Sequence, residues 1–295
     1  MAGRIGNLAC GTALALLLAG AAQAADPATF EERFEGTKPA VSGFNGKLDL
    51  GYFHQSFDGL PFDLDGGYAI GSVSLPVTHS FGLQVDAGFG SIDVNPGAGS
   101  VDIKGIAAHL FYRDPDRFLI GAYGHYANID LGPFDADMWR YGLEGEAYLG
   151  NFSVEAFVGG DTIDGPGGSA SEFHGEARLA YYFFDNYRLD VGVNHQFDQT
   201  SLRVGGEALL PVAGNRLALY ALGSFNDDAT SVRAGLRLYF GEAGKSLKAR
   251  HREDDPGSRL FDYFDINEAV GRIAPVGEGG PPTPCGGEGG PPCPS

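Results

Sequence analysis

The chain contains almost no cysteine. Only three of its 295 residues are cysteines, and two of them, Cys285 and Cys293, lie close to the C-terminus. A disulfide framework therefore cannot support the main body of the chain, and two cysteines without a nearby histidine are too few for a zinc site. The pair can form one disulfide in an oxidising compartment or have no role, and both alternatives stay open.

Long apolar runs are also missing. An N-terminal run, residues 13–22, is too short to cross a membrane as a helix, and no later segment has eighteen or so uninterrupted apolar residues. A helical membrane protein is therefore excluded. The run follows Arg4 and ends in the small-x-small pattern of Ala22, Gln23 and Ala24. This pattern predicts that residues 1–24 are a cleavable signal peptide and that the chain is exported.

Basic residues are scarce as well. The chain has 20 Lys and Arg against 38 Asp and Glu, which gives a formal net charge of −18 at pH 7. Such a chain is not a general nucleic-acid binder, because that function needs a basic surface. No stretch has the spacing of an EF-hand, and we predict neither a cofactor nor a dedicated metal site.

What the chain does contain is a regular alternation of apolar and polar residues between positions 44 and 240. In the last such segment, Val232, Leu236 and Phe240 share one face, and Arg233 and Arg237 share the other. A period of two residues indicates a β-strand. We predict twelve strands, at 44–55, 66–77, 80–94, 101–113, 117–129, 138–149, 152–162, 172–183, 187–197, 201–210, 216–225 and 230–240.

Two architectures fit this alternation. A soluble sandwich buries the apolar face, whereas a transmembrane barrel turns that face to lipid and the polar face to its lumen. Strand length, the signal peptide and aromatic residues at strand ends, such as Tyr181 and Tyr187, favour the barrel. The predicted fold is all-β: a transmembrane antiparallel up-and-down β-barrel of about 12 strands. Segments 66–77 and 101–113 alternate poorly, which predicts a β-bulge or a displaced boundary.

The connections between the strands differ at the two ends of the predicted barrel. Those after the even-numbered strands are tight turns, and most of those after the odd-numbered strands are longer, at 56–65, 95–100, 130–137 and 163–171. Outer-membrane barrels have short periplasmic turns and longer outer loops. Both termini therefore lie on the periplasmic side, with residues 25–43 as an N-terminal periplasmic segment and 44–240 as the barrel.

Residues 241–295 have a different composition. A basic run at 245–252 is followed by a Gly/Pro-rich repeat, which predicts a largely disordered periplasmic tail. The basic run is either a solvated linker or a contact for anionic headgroups or cell-wall polymer. Between them Leu260, Phe261 and Phe264 have helical spacing, with Ser258 as a candidate N-cap. This stretch can alternatively enter the lumen as a plug.

From Leu48 onwards the chain resembles the bacterial outer-membrane β-barrel superfamily of porin-like and small-channel proteins. The resemblance rests on the signal peptide, the alternation and a last strand that ends in Leu238, Tyr239 and Phe240. It implies the outer membrane of a Gram-negative bacterium as the location. It also implies that Tyr239 and Phe240 are the signal for the barrel-assembly machinery.

Inward-facing charges are the first candidate functional group. Balanced charges can close the lumen as a network of ion pairs or line a narrow pore, and neither alternative is excluded. The predicted bases and acids are nearly equal in number: Lys47, Lys104, Arg140, Arg178, Arg188, Arg203, Arg233 and Arg237 against Asp49, Asp86, Glu144, Glu146, Glu155, Glu172, Glu176, Asp190 and Glu207.

The second group is an acidic outer rim without lysine or arginine. Aspartate is a good turn residue, which explains many of these positions. A rim of carboxylates would also attract cations and can bridge to lipopolysaccharide through divalent ions. The predicted rim consists of Asp58, Asp63, Asp65, Asp130, Asp135, Asp137, Asp161, Asp164, Asp227 and Asp228.

The predicted function is a passive channel for small solutes with a cation-leaning entrance. The alternative is a closed structural or adhesin-like barrel whose lumen is filled by salt bridges. A minor alternative is an outer-membrane lipid hydrolase that uses His195 with Thr200 or Ser201. No nucleophile motif surrounds these three residues, so we predict no catalytic residue.

Overall fold

The computed structural model describes residues 37–58, 63–95, 99–132, 134–260 and 262. The predicted signal peptide, Phe261, Phe264, the Gly/Pro-rich repeat and both C-terminal cysteines lie outside these residues. No helix in the described part of the chain is both long and apolar enough to cross a membrane.

Twelve antiparallel strands form one closed barrel, in which each strand pairs with its sequence neighbours and β1 pairs with β12. This confirms the predicted all-β up-and-down barrel. The strands are β1 Asn45–Phe57, β2 Asp63–Pro76, β3 Phe81–Asn95, β4 Gly99–Asp114, β5 Phe118–Asp130, β6 Asp135–Leu149, β7 Phe152–Gly165, β8 Gly168–Phe183, β9 Tyr187–Gln196, β10 Gln199–Leu210, β11 Leu217–Phe225 and β12 Ala229–Phe240.

The connections at the two ends of the barrel differ less in length than the sequence predicted. We call the end that carries Asn45 and Phe240 the terminus end and the opposite end the loop end. At the loop end β6, β7 and β8 continue into the segments predicted as loops, so the connection predicted at 163–171 shrinks to 166–167. The prediction of longer connections at this end is therefore wrong for most of them. Instead, β6, β7 and β8 extend beyond the strand ends that the sequence predicted.

The predicted bulge in β2 or β4 is also absent from the described ladders. Pairing runs without interruption from Leu64 and Val94 to Pro76 and Gly82. The alternation is poor because the inward side of β2 and β4 is itself apolar near the loop end. There Tyr68 and Ile70 on β2, like Ile103 and Ala107 on β4, are buried inside the barrel.

The outer surface carries an apolar band between two groups of aromatic residues. Trp139 lies 4.6 Å from Tyr126 near the loop end, and Phe152 lies 4.7 Å from Tyr181 near the terminus end, measured between ring centroids. Trp139 and Leu149 delimit the band on β6. At about 3.3 Å per residue and a tilt of about 40°, the band is roughly 25 Å high. That height matches the hydrocarbon core that such barrels cross.

The interior is divided into two halves. The half near the terminus end is lined mainly by charged residues, such as Arg237 and Asp49. The half near the loop end contains a buried apolar cluster, which explains how the projecting strands close this end without long loops. The cluster comprises Phe53, Tyr68, Ile70, Ile92, Ile103, Ala107, Tyr123, Ala127, Ile129, Ala136, Met138, Phe157, Ile163, Ala170, Phe197 and Leu260.

The chain after β12 is folded as far as the structure describes it. A short helix α1, Leu247–Ala249, continues into a π-helical turn, Arg250–Asp254, beneath the terminus end. The helix begins after Ser246, whose hydroxyl oxygen accepts a hydrogen bond from the Ala249 amide. Ser258, the candidate N-cap of the later stretch, accepts a hydrogen bond of 3.4 Å from the Leu260 amide, and most of that stretch lies outside the described residues. Residues 255–260 and Asp262 then lie inside the lumen. The prediction of disorder is therefore wrong for residues 241–260.

Candidate functional site

Nearly all predicted lumen charges face the interior. Lys104 is the exception: it lies on the exposed side of β4, because Ile103 and Gly105 occupy the inward positions. The prediction failed there because the inward face of β4 is apolar, so the polar face could not be identified from alternation.

Arg237 joins the two strands that close the barrel. Its guanidinium donates hydrogen bonds of 2.6 and 2.7 Å to the carboxylate of Asp49 on β1, directly across the seam. It also donates one of 2.6 Å to Glu207 on β10. The hydroxyl of Tyr239 donates a further bond of 2.6 Å to Glu207. These charge-assisted bonds link three strands at the terminus end.

A small polar cavity lies beside this network. Its volume is about 140 Å³, and Lys47, Tyr220 and Ser258 are among the residues that line it. Arg188 reaches Glu155 at 2.8 Å and Asp190 at 3.0 Å on its wall. A cavity of this size holds several water molecules, so this half of the lumen retains polar space between its ion pairs.

A second network lies higher in the barrel. Arg140 donates two hydrogen bonds of 2.7 Å to Asp161 and one of 2.9 Å to Gln196. The Asp161 carboxylate also contacts His174 at 3.3 Å, and His174 contacts the amide oxygen of Asn194 at 2.9 Å. All five side chains are buried. Asp161, which we predicted at the outer rim, is therefore an interior partner of Arg140, because β7 extends further than expected.

His109 forms a third network that the sequence analysis did not identify. Its ring nitrogens lie 2.9 Å from Glu144 and 3.2 Å from Asp86. All three residues are buried. Gln84 donates a further hydrogen bond of 2.9 Å to Asp86. Inward alternation on β4 places His109 here, but a single histidine among apolar neighbours gives no signal of its ionic partners.

The C-terminal segment, by which we mean residues 255–260 and Asp262, contacts the wall of the lumen from inside. Lys47 contacts Asp255 at 2.5 Å and donates a hydrogen bond of 2.7 Å to the carbonyl oxygen of Pro256. Further in, Arg259 lies 3.1 Å from Glu176, and Leu260 joins the apolar cluster. The segment thus runs from the terminus end towards the middle of the barrel and contacts both halves of the interior. The sequence analysis kept this plug only as an alternative.

The terminus end is sealed by both chain ends. The amide of Ala40 donates a hydrogen bond of 2.6 Å to the carbonyl oxygen of His79, and the amide of Ser42 donates one of 2.8 Å to the carbonyl oxygen of Glu253. Hydrogen bonds to Asp116 and Glu253 raise the pKa of Lys38.

The basic run contacts this end as well. Lys248 donates a hydrogen bond of 3.1 Å to the side chain of Asn151, and Arg250 and Arg252 donate to backbone carbonyl oxygens of the strand ends, including that of Phe152. The alternative of a solvated linker is therefore wrong for residues 245–252.

The fold was compared with solved structures. An outer membrane channel from Pseudomonas putida F1 is similar to the chain at 14% sequence identity and a TM-score of 0.51, covering 70% of this chain and 98% of that chain. The chain has an outer-membrane β-barrel fold.

Two further solved barrels are similar to the chain with lower TM-scores. The KdgM porin in complex with disordered oligogalacturonate is 14% identical, covers 65% of this chain and 99% of its own, and has a TM-score of 0.48. Outer membrane phospholipase A from Escherichia coli is 12% identical, with 69% and 91% coverage and a TM-score of 0.44. No family model and no curated protein matches the chain. One fold serves many functions, so function must come from the residues of the barrel.

The remaining predicted rim aspartates lie at the loop end of this outer-membrane barrel fold, on its outside or in its turns. Two of them accept hydrogen bonds there: Asp65 from Tyr52 at 2.8 Å, and Asp137 from Tyr126 at 2.6 Å. Among the described residues, no three side chains of His, Cys, Asp or Glu are close enough to hold a metal ion. The set is Asp58, Asp63, Asp65, Asp130, Asp135, Asp137, Asp164, Asp227 and Asp228.

Of the candidate hydrolase residues, His195 and Thr200 come together, whereas His195 and Ser201 do not. His195 is part of the outer face and contacts the hydroxyl of Thr200 at 2.9 Å. Ser201 faces the interior and is buried. A serine nucleophile and its histidine base must lie within hydrogen-bond reach of each other, and this pair points to opposite sides of the barrel wall.

The two residues of the predicted assembly signal face opposite sides of β12. Phe240 is exposed on the outer face, whereas Tyr239 is buried and bonds to Glu207. An outward aromatic at the end of the last strand is available to a partner. Recognition by the assembly machinery stays a prediction.

Proposed function

We propose that this chain is an outer-membrane channel for small solutes, closed in the present structure by its own C-terminal segment. One observation carries the proposal: Arg259, Leu260 and Asp262, which lie in the middle of the lumen, belong to a segment that follows the last strand. They can leave without breaking any pairing between strands, because β1 and β12 close the barrel without them.

The wall of the lumen supports passage of polar solutes. A barrel of twelve strands that served only as a scaffold can be filled with apolar side chains. Here the wall near the terminus end carries arginine and carboxylate side chains around a cavity of about 140 Å³. Burying such charges costs free energy unless they are paired, and it is a weak way to gain stability. Their presence fits a surface that faces water whenever the segment leaves.

The same proposal includes the location and the surroundings. The apolar band supports a location in the outer membrane of a Gram-negative bacterium, and our proposal puts the terminus end and the tail on the periplasmic side. The aspartates of the loop end then face outward, where they favour entry of cations and can bind lipopolysaccharide through divalent ions. Phe240 serves as the contact for the barrel-assembly machinery.

Electrical recording tests the channel. The released variant, Arg259→Ala with Leu260→Ala and Asp262→Ala, removes the three side chains by which the segment contacts the middle of the lumen. We expect wild-type barrels in planar bilayers to be closed for most of the time and the released variant to be open at least about tenfold more often. In a KCl gradient, its reversal potential should show preference for the cation.

The matched control is Lys248→Ala, which removes a contact of the preceding basic run outside the lumen. It should behave as the wild type. A folded released variant that never conducts would contradict the channel, and anion preference would contradict the role of the acidic loop end. Migration of unheated samples on gels shows that each variant is folded.

The second candidate is the closed structural barrel. It is favoured by one observation, the apolar cluster that fills the loop half of the lumen. In that case the barrel stays closed whatever happens to residues 255–262. Absence of conductance from the released variant is the result that this candidate predicts.

A further inference from the structure

Arg259 occupies a cage built by the barrel wall. Its guanidinium lies 3.1 Å from Glu176 and 3.7 Å from Glu144, and its Cζ atom lies 5.3 Å from the ring centroid of Phe157. Two carboxylates and an aromatic face are the groups that recognise a planar cation. We call Glu144, Glu176 and Phe157 the cation cage.

The cage is positioned by the wall and not by the segment. His109 contacts the Glu144 carboxylate at 2.9 Å, and Arg178 donates a hydrogen bond of 2.8 Å to Glu176. The ring of Phe157 packs edge-on against Tyr123 at 5.8 Å. Partners on the wall therefore fix both carboxylates and the ring. This geometry is maintained when Arg259 leaves, so a ligand need not order the site.

Asp262 occupies a second site of opposite charge. Its carboxylate lies 2.8 Å from Arg233 and 3.5 Å from Arg203. Its backbone carbonyl oxygen accepts a hydrogen bond of 2.9 Å from Arg203 and one of 3.4 Å from Gln196. We call Arg203, Arg233 and Gln196 the anion clamp. It binds both the side-chain carboxylate and the backbone carbonyl oxygen of an acidic residue.

The two sites are neighbours. Arg203 of the anion clamp donates a hydrogen bond of 3.1 Å to Glu176 of the cation cage, so one ion pair belongs to both. In the present structure Arg259 occupies the cation cage and Asp262, three positions later in the chain, occupies the anion clamp. A separate molecule with a guanidinium and a carboxylate at similar spacing would meet the same groups.

We propose that the cation cage and the anion clamp together form a binding site for short peptides that carry an arginine and a carboxylate. The C-terminal segment fills this site as an internal mimic of such a peptide. The proposal rests on the proposed function, because the site must be reached through the lumen, and it names the class of solute for that lumen. If the segment only neutralised the charges of the wall, a ligand would need a positive charge but not the planar shape of a guanidinium.

Peptide binding to the full chain in detergent tests the site. The probe is the tetrapeptide Arg-Leu-Phe-Asp, which repeats positions 259–262, with a fluorophore at its N-terminus, and its anisotropy is recorded. The released variant should bind the probe at least about tenfold more tightly than the wild type, whose site is filled. Adding Glu144→Gln and Glu176→Gln to the released variant should weaken binding by about tenfold or more.

Two altered probes separate the halves of the site. Citrulline in place of arginine keeps the shape but removes the charge, and asparagine in place of aspartate removes the carboxylate. Each should bind at least about tenfold more weakly to the released variant. Equal binding of all three peptides, or no binding of the first, would overturn the proposal.

The outcome is separable from that of the proposed function. Binding without conductance would leave the site intact and reject the channel, whereas conductance without binding would reject the site alone. If the released variant is not recovered folded, Arg259→Gln removes the guanidinium from the cage and keeps Leu260 and Asp262, and the same probes are applied to it. Failure of the first probe to bind this folded variant more tightly than the wild type would also overturn the proposal.

Discussion

Replacing Arg140 with methionine is expected to lower the free energy of unfolding of the barrel by about 3–5 kcal/mol. The substitution leaves the carboxylate of Asp161 buried beside His174, without the two 2.7 Å hydrogen bonds that neutralise it. A buried charge that loses its partner pays its full desolvation cost. Urea unfolding in lipid vesicles, followed by fluorescence of Trp139, the single tryptophan of the sequence, measures the loss.

The control removes both members of the pair. In Arg140→Met with Asp161→Leu, no charge is left without a partner, so most of the lost stability should return. A double variant as unstable as the single one would show that the bulk of the arginine side chain, and not its charge, stabilises this region. A single variant within about 0.5 kcal/mol of the wild type would contradict the network itself.

Gly235→Val is expected to prevent closure of the barrel. Gly235 on β12 pairs with Gly51 on β1, across the seam that joins the first and last strands. A Cβ atom on Gly235 would lie 2.2 Å from the backbone oxygen of Leu50 and 2.7 Å from the hydroxyl of Tyr220. The backbone of the seam cannot shift this far without breaking its ladder. The fraction of protein that keeps the fast-migrating folded form on unheated gels measures the effect.

Gly124→Val is the matched control, since a Cβ atom at Gly124 meets no other atom within 4 Å. Gly124 lies on the exposed side of β5, where an apolar side chain faces lipid. This variant should fold as the wild type does. Loss of folding in both variants would show that glycine is needed for strand flexibility in general. Normal folding of Gly235→Val would contradict the close approach at the seam.

The strands could be predicted because their pattern is local. Alternation with a period of two decides which face of a strand meets lipid, and the sequence alone shows it from residue 44 to residue 240. The seam between β1 and β12 follows from an even number of antiparallel strands. Most of the lumen charges then follow from the same parity. Arg237 and Asp49 are examples, and the structure brings them together across the seam.

The pattern failed where the interior is apolar. On β4 both faces are apolar near the loop end, so Lys104 was assigned to the wrong side. Asp161 was assigned to the rim because aspartate is common in turns, although β7 continues past it to Gly165. Both errors arise towards the loop end. There apolar side chains face the interior and polar side chains face outward, which is the opposite of the arrangement within the apolar band.

The role of the C-terminal segment could not be predicted from composition. In the described part of this segment few apolar side chains are buried, and its charged residues find their partners on strands far away in the chain. Asp255 meets Lys47, and Arg259 meets Glu144 and Glu176. Such long-range ion pairs leave no local period in the sequence. The basic run at 245–252 likewise lacks any signal for the turns that it contacts.

The position of the C-terminal segment is tested most directly by the reactivity of a single thiol in the middle of the lumen. Leu260→Cys is introduced with Cys285→Ser and Cys293→Ser, and a charged thiol reagent is applied to the folded barrel. Leu260 is fully buried, whereas Asp116, the site of the reference variant Asp116→Cys, lies in an exposed turn. We expect Leu260→Cys to react at least about a hundredfold more slowly than the reference. Addition of Arg259→Ala and Asp262→Ala should remove most of this protection. Equal rates for Leu260→Cys and Asp116→Cys would contradict the claim that the chain closes its own lumen.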